Sequence, residues 1–556
     1  MLMKHRIAQL VADAVEEAQR QGSLPSGPIP DIEVEHPQNP EHGDFAVSLP
    51  LKLARAARMA PLVIADRLVS LLPPEEAIEQ VRIAPPGFIN FEMKQDWLHA
   101  QLTKIIEDGE GYGGLQSQNP LRVQIEFVSV NPTGPLHVGH ARGAVLGSGL
   151  ARILEAAGHQ VSREYYINDA GTQIEVFNRS LYARYAQALG REVAMPSDGY
   201  LGDYMNQLAK EVIAEDGQRF LEMPEADATK AVGEIGLNKM LAAIGEDLET
   251  IDVSFDVWFS ERSLYQDQFY DHTIEQLRDS GYLTEREGAL WFVSTLLGEE
   301  KDNVIVRGTG EPTYFATDIA YHRNKFVERQ FDRVINVWGA DHQGHVSRLK
   351  AAMEALAVDP SRLTVIISQL VTLKRGDEAV RVSKRKGDIV TLRELVDEVG
   401  PDACRFFFLS RSPESQMEFD LDLAVQDSSD NPVFYVQYAH ARTAGILRLA
   451  KERGLAVRDG NISLLNHEAE KALIKKMLQL PELIEIMAQR LEPHHLPRYS
   501  VDLATAFHWF YQECRVVSTE PGEEAITLAR LKLVEACRIV LARCLSLMGM
   551  NAPDTM

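Results

Sequence analysis

Val123-Gln124-Ile125-Glu126-Phe127-Val128 runs into Asn131-Pro132-Thr133-Gly134-Pro135-Leu136-His137-Val138-Gly139-His140, and a helix-patterned stretch, 141–157, follows. A strand, a Pro/Gly turn and a helix in that order predict the opening βα unit of a parallel sheet. Two histidines three apart and a glycine stand at the junction. A helix N-terminus there offers free N–H groups and about half a positive charge, which suits nucleotide phosphate. His137 and His140 would donate to phosphate oxygens that gain charge during attack at phosphorus. Gly139 would let an adenine ring lie against bare backbone. Taken alone, the segment is also compatible with a surface turn or a metal pair, although no Cys or acidic ligand flanks the histidines.

Outward from this unit, short apolar runs alternate with helical segments from about 121 to 400, at 124–130, 160–167, 289–292, 304–306, 333–338 and 363–370. That alternation predicts a doubly wound, Rossmann-like α/β catalytic domain over 113–400, with an acidic, mostly helical insertion near 180–250. Residues 1–112 read as a small N-terminal α/β domain. It has helices near 3–21 and 48–58, a strand at 31–35, two strands within 81–91 broken at Pro85-Pro86-Gly87, and a linker at 112–120. Over 401–556 strand signals nearly vanish, and long helical periodicities such as 468–490 and 526–547 predict an all-α helix bundle.

Composition narrows the class. The 556 residues suffice for several domains, and 45% hydrophobic with 25% charged residues is an ordinary globular balance. No run approaches the ~20 apolar residues of a membrane span, and the N-terminus lacks the apolar core of a signal peptide. The four Cys form no CxxC pair and are expected as buried, reduced thiols, which fits the cytoplasm. A net charge of -24 opposes overall attraction to nucleic acid. Binding depends on local patches, so one basic groove stays compatible with it.

Some 240 residues beyond the first motif comes Arg381-Val382-Ser383-Lys384-Arg385-Lys386-Gly387. Lys384 could hold a leaving pyrophosphate, with Gly387 giving the loop freedom to close. By itself the run also reads as a solvated basic surface. In this order and at this separation, the two motifs argue for an enzyme that adenylates its substrate.

These motifs resemble the HIGH-like and KMSKS-like signatures of class I aminoacyl-tRNA synthetases, and the chain is most similar to the bacterial arginyl type. HGDFAVSLPLKLA (42–54) and PPGFINF (85–91) resemble that family's N-terminal tRNA-contacting domain. VNPTGPLHVGHARGAVLG (130–147), YYINDAGTQI (165–174), PTYFATDIAYHRNKF (312–326) and GADHQGHV (339–346) resemble its catalytic domain. DACRFFFLSR (402–411) and NPVFYVQYAHAR (431–442) resemble the entry to its helical anticodon-binding domain. The second signature departs from KMSKS, with Arg381 and Arg385 at its first and last positions.

The resemblance implies ATP-dependent attachment of L-arginine to tRNA(Arg) through an arginyl-adenylate, with Mg²⁺ accompanying ATP and tRNA required even for the first step. His137, Gly139, His140 and Lys384 are then the catalytic set. Gly339, Asp341 and Ser383 join His137, Gly139, His140 and Lys384 around ATP, and Ser129, Asn131, His140, Glu261, Tyr314, Asp318 and His342 surround arginine. Tyr314 and Asp318 are four apart, so a helix would put them on one face. A guanidinium wants planar, bidentate acceptors and tolerates an aromatic face. The resemblance also implies a cytoplasmic monomer with no protein-held metal and no membrane partner. In the bundle, Arg442, Arg448, Lys475, Lys476, Arg515 and Arg538, with Tyr435, Tyr438 and Trp509 among them, are candidate contacts to splayed anticodon bases. The alternatives are a class I synthetase for cysteine or glutamate, and a non-catalytic tRNA-binding paralogue. The second should have lost HVGH or Lys384, and both are present.

Overall fold

The structure is a computed structural model describing residues 2–37, 39–376, 378–380, 390–457 and 460–556. Its centre is a five-stranded, all-parallel sheet in the order Leu363–Ser368, Arg333–Gly339, Arg122–Glu126, Gln160–Ile167, Val257–Ser260. The first strand in sequence lies in the middle. The chain adds two strands on one side, then returns to add two on the other. That is the doubly wound order, and it leaves a crevice at the C-terminal ends of Arg122–Glu126 and Arg333–Gly339, where the winding reverses.

Val123, Ile125 and Phe127 are buried because helices cover both faces of the sheet. The helix Val138–Ala156 buries nearly its whole length against them. Gly147 permits that approach, since a Cβ there would sit 2.2 Å from the Phe127 ring.

The sheet corrects the sequence reading in two places. Ala289–Phe292 is the middle strand of a separate antiparallel sheet, paired with Asn303–Val306 on one side and Leu283–Arg286 on the other, and neither it nor Asn303–Val306 joins the parallel one. The fifth parallel strand is instead Val257–Ser260, a four-residue edge segment too short to signal itself. The helical insertion is Thr172–Ala188, Asp203–Asp216 and Glu225–Glu249, packed around its own core.

The N-terminal unit is a four-stranded antiparallel sheet with helices Met3–Arg20, Leu49–Ala57 and Pro61–Leu71 over a separate core. Leu98, Leu102 and Ile105 of the helix Gln95–Asp108 pack into the larger core shared by the catalytic sheet and the C-terminal bundle. Tyr112, expected in an open linker, is buried, and its hydroxyl donates to Met477 O at 3.2 Å. Lys4 and His5 reach Glu485, His36 reaches Glu482 and Lys475 reaches Asp44, docking the N-terminal unit on the bundle.

The bundle comprises Pro432–Glu452, Glu468–Met477, Leu480–Arg490, His495–Glu513 and Glu524–Met548. The single helix expected over 468–490 is two, because Pro481 lacks the N–H that a continuous helix needs. Strand Met417–Asp420 also persists beyond residue 402, paired with Val371–Arg375. All four cysteines are free and buried. No described helix is long and apolar enough to cross a membrane.

Candidate active site

The chain leaves the central strand through Val128 and Ser129, with φ of +67° and +42°. A β-branched residue in the left-handed region is strained, and such strain gathers at functional sites. The turn is held from the neighbouring strand. Tyr166 N–H donates to Ser129 Oγ at 3.0 Å, and the Tyr165 hydroxyl donates to Val130 O at 2.8 Å.

His137 then caps the helix, its Nδ1 accepting from Gly139 N–H at 3.1 Å. The His140 ring stacks on it with centroids 3.4 Å apart. A Cβ on Gly139 would come within 3.0 Å of His137 Cε1, so glycine keeps this face low. Arg381, Ser383 and Lys384 fall outside the described residues. The segment just after that loop is knitted to the HVGH turn: Leu392 N–H donates to Leu136 O at 2.9 Å, and Val138 N–H to Val390 O at 3.3 Å. The buried Arg142 guanidinium adds a second tie, donating to the carbonyls of Gln369, Ser412 and Ser415 at 2.8–2.9 Å. Gly339 ends the adjacent strand, and the 3₁₀ turn Ala340–His345 follows. Asp341 stands open to solvent there, 3.6 Å from His342 Nε2. The HVGH turn and the Gly339–Asp341 turn therefore border the same crevice.

The second half of the site lies on the helix Tyr314–Arg323, beside Glu261. Tyr314 is half exposed and Asp318 is buried, as is Glu261. Burial drives the Asp318 carboxyl well above its usual range, and the neighbouring Glu126 and Glu261 add to this. Glu261 is pushed up to about 7, by burial first and then by Asp169. Tyr314 is raised too, chiefly by the Asp318 charge. Two further acids underneath, Glu126 and Glu164, carry their own cations in Lys325 and Arg329. Glu261 and Asp318 have no ion-pair partner among the described residues, so they form a buried carboxyl pair that a cationic ligand would draw into its ionised form. Asn131 joins them through Asn168, whose Nδ2 donates to Asn131 Oδ1 at 2.7 Å and which also lies beside the Tyr314 hydroxyl.

The geometry thus gathers Asn131, Glu261, Tyr314 and Asp318. Asn168, Tyr166 and Asp169 of the same pocket were missed as individual residues, although all three sit in or beside the YYINDAGTQI motif already singled out. Asp169 accepts from the Ser260 hydroxyl at 2.5 Å and from Arg262 N–H at 3.1 Å, and so fixes the backbone on either side of Glu261.

A pH dependence follows from Glu261. With its carboxyl pushed up to about 7, Glu261 is mostly neutral at pH 6 and ionised at pH 8. Affinity for a cationic ligand is expected to rise about tenfold across that interval, with proton release on binding near pH 7 detectable by calorimetry in two buffers. A carboxylate raised on folding contributes stability below its unfolded pKa and loses it as pH climbs through the folded value. The ligand-induced rise in Tm should therefore be larger at pH 8 than at pH 6.

Three family models match the chain: the arginyl tRNA synthetase N-terminal domain over residues 5–93, the catalytic domain of class I tRNA synthetases of the arginine (R) type over 101–422, and the DALR anticodon binding domain over 436–556. The chain belongs to the arginyl-tRNA synthetase family. An arginine–tRNA ligase from Dehalococcoides mccartyi is 53% identical over 556 residues, covering 100% of this chain and 99% of the relative. One from Heliobacterium modesticaldum is 48% identical over 561 residues, with the same coverage. The arginyl-tRNA synthetase of Thermus thermophilus has the same fold, with a TM-score of 0.77 at 23% identity, covering 100% of both chains. The arginyl-synthetase catalytic match begins inside the helix Gln95–Asp108, in keeping with that helix packing in the larger core.

Proposed function

We propose that this chain attaches L-arginine to tRNA(Arg) in two ATP-driven steps. In the first, an arginine carboxylate oxygen bonds to the α-phosphorus of ATP and the α–β anhydride bond breaks, releasing pyrophosphate. In the second, a terminal tRNA hydroxyl attacks the arginyl carbonyl carbon and AMP leaves. The observation that carries the choice of amino acid is the buried Glu261–Asp318 pair, which makes no ion pair among the described residues. A guanidinium can satisfy two carboxylates at once while Tyr314 lies against its plane.

In this reading His137 and His140 donate to the phosphate oxygens, and Gly139 lies under the adenine. Gly339 and Asp341 receive the ribose, while Ser383 and Lys384 meet the pyrophosphate. Asn131 takes the arginine α-amino group, with Ser129 holding the turn beneath it and His342 beside the amino acid. Mg²⁺ would accompany ATP, held largely by its phosphates and water. A site built around a charged, hydrogen-bonded side chain can reject analogues by roughly 10⁴–10⁵, so no editing domain is needed.

On the bundle, Arg442 lies over the rings of Tyr438 and Tyr511 at 5.0 and 4.7 Å, and Tyr438 stacks on Phe434 and His508. With the exposed Trp509 this cluster supports base stacking in an anticodon loop. Lys475, Lys476, Arg515 and Arg538 are instead tied to Asp44, Asp502, Glu520 and Glu535. The reading extends to a cytoplasmic monomer. Pyrophosphate exchange measured across the amino acids, with and without tRNA, tests the amino-acid choice.

A further inference from the structure

Beneath the arginine pocket lies a buried row of polar side chains. Asn336, Glu126 and Glu164 are register partners on three adjacent parallel strands, so they project from one face of the sheet side by side. None is more than 6% exposed, which is unusual for two carboxylates and an amide in the middle of a sheet. The groups that answer them come from one stretch, the helix Tyr314–Arg323, the π-turn Asn324–Glu328 and Arg329, which caps that turn. Lys325 Nζ donates to Glu126 at 2.5 Å and to Asn336 Oδ1 at 3.1 Å. Arg329 and the Tyr321 hydroxyl donate to Glu164.

The row continues towards the pocket. Asn336 Nδ2 donates to His322 Nε2 at 2.7 Å, and His322 Nδ1 donates to the Asp318 carbonyl at 2.8 Å. Asn336 has one donor group and one acceptor, both used, and its orientation fixes the histidine as the neutral Nδ1–H tautomer. Burial and the nearby Lys325 favour the same neutral form. From Glu126 through Lys325, Asn336 and His322 to Asp318, each bond has only one sensible polarity.

We propose that His322 and Asn336 are positioning residues for arginine: together with Lys325 they fix where the Tyr314–Asp318 helix sits along the sheet, and so hold both side chains at guanidinium-binding distance from Glu261. The proposal rests on the arginine reading above and deepens it. An apolar contact between a helix and a sheet tolerates small slides. A row of buried donors and acceptors has one register in which all are satisfied. The π-turn serves this end. Tyr321, Lys325 and Arg329 recur every fourth residue, and the wider turn between them keeps Lys325 and Arg329 over neighbouring strands.

The test separates position from stability. His322→Leu leaves the Asn336 amide unsatisfied, and His322→Gln restores an acceptor to it. The double variant His322→Leu/Asn336→Leu removes both partners, which lessens the cost of an orphaned group. For each, Tm, KM for arginine, KM for ATP and kcat are measured by pyrophosphate exchange with tRNA present. His322→Leu is expected to raise KM for arginine about tenfold while KM for ATP stays within twofold of wild type. His322→Gln should recover most of that loss. The double variant should regain Tm but keep the raised KM for arginine. The proposal is overturned if the double variant recovers KM for arginine along with Tm, or if the two KM values move together, or if neither moves. Should His322→Leu fail to fold, the double variant decides by the same criterion. A wild-type protein without arginine-dependent exchange would remove the arginine reading itself, which the wild-type control shows separately.

Discussion

His140→Ala is expected to slow adenylate formation by about two orders of magnitude, with tRNA affinity unchanged. The His140 ring stands at the N-terminus of a buried helix, stacked on His137 at 3.4 Å, so its position is set before substrate arrives. A donor fixed in this way needs no reorganisation when charge builds on phosphate, and removing one such donor typically costs about 3 kcal/mol of transition-state stabilisation. The DALR anticodon binding domain, residues 436–556, lies on different helices, so filter binding of tRNA should register no change. Single-turnover formation of the adenylate reads the step directly. A wild-type rate in this variant would take HVGH out of the mechanism.

The second large effect is expected at Asp318. Asp318→Asn removes one of the two buried carboxyls that make no ion pair among the described residues, and keeps the shape. KM for arginine should rise by about two orders of magnitude, in line with the ~3 kcal/mol cost of breaking a buried charge-assisted contact. KM for ATP should stay near wild type. The free protein should become more stable in the same variant. Burial holds Asp318 well above the ordinary carboxylate range, so its ionised form costs stability as pH rises through that folded value. A neutral amide does not carry that cost. A higher Tm without arginine, together with a smaller arginine-induced rise in Tm, is the combined signature. Loss of stability with unchanged arginine affinity would reduce Asp318 to a structural residue.

How much of this could be read from sequence depended on whether each signal was local. The strand, turn and helix around HVGH were legible because Pro132, Gly134 and Pro135 punctuate the apolar run and the helix period starts directly after it. The shared face of Tyr314 and Asp318 followed from their spacing alone. Which sheet a short apolar run joins is a long-range matter. Ala289–Phe292 looks like any core strand, yet it pairs with Leu283–Arg286, while Val257–Ser260 completes the parallel sheet. Charges misled most. Glu126, Glu164, Lys325 and Arg329 are residue types that normally face solvent, and nothing in their local sequence marks them as the floor of a pocket. Lys475 and Lys476 read as candidate anticodon contacts, and the structure places them beside Asp44 and Asp502, partners that no local signal announced.

The central claim is that the site takes arginine because two buried carboxylates await a guanidinium. Pyrophosphate exchange run with each amino acid in the presence of tRNA tests it most directly. The account predicts exchange with arginine and none with cysteine or glutamate, and loss of that exchange in Asp318→Asn at arginine concentrations that saturate the wild type. Exchange driven by cysteine or glutamate and not by arginine would contradict it.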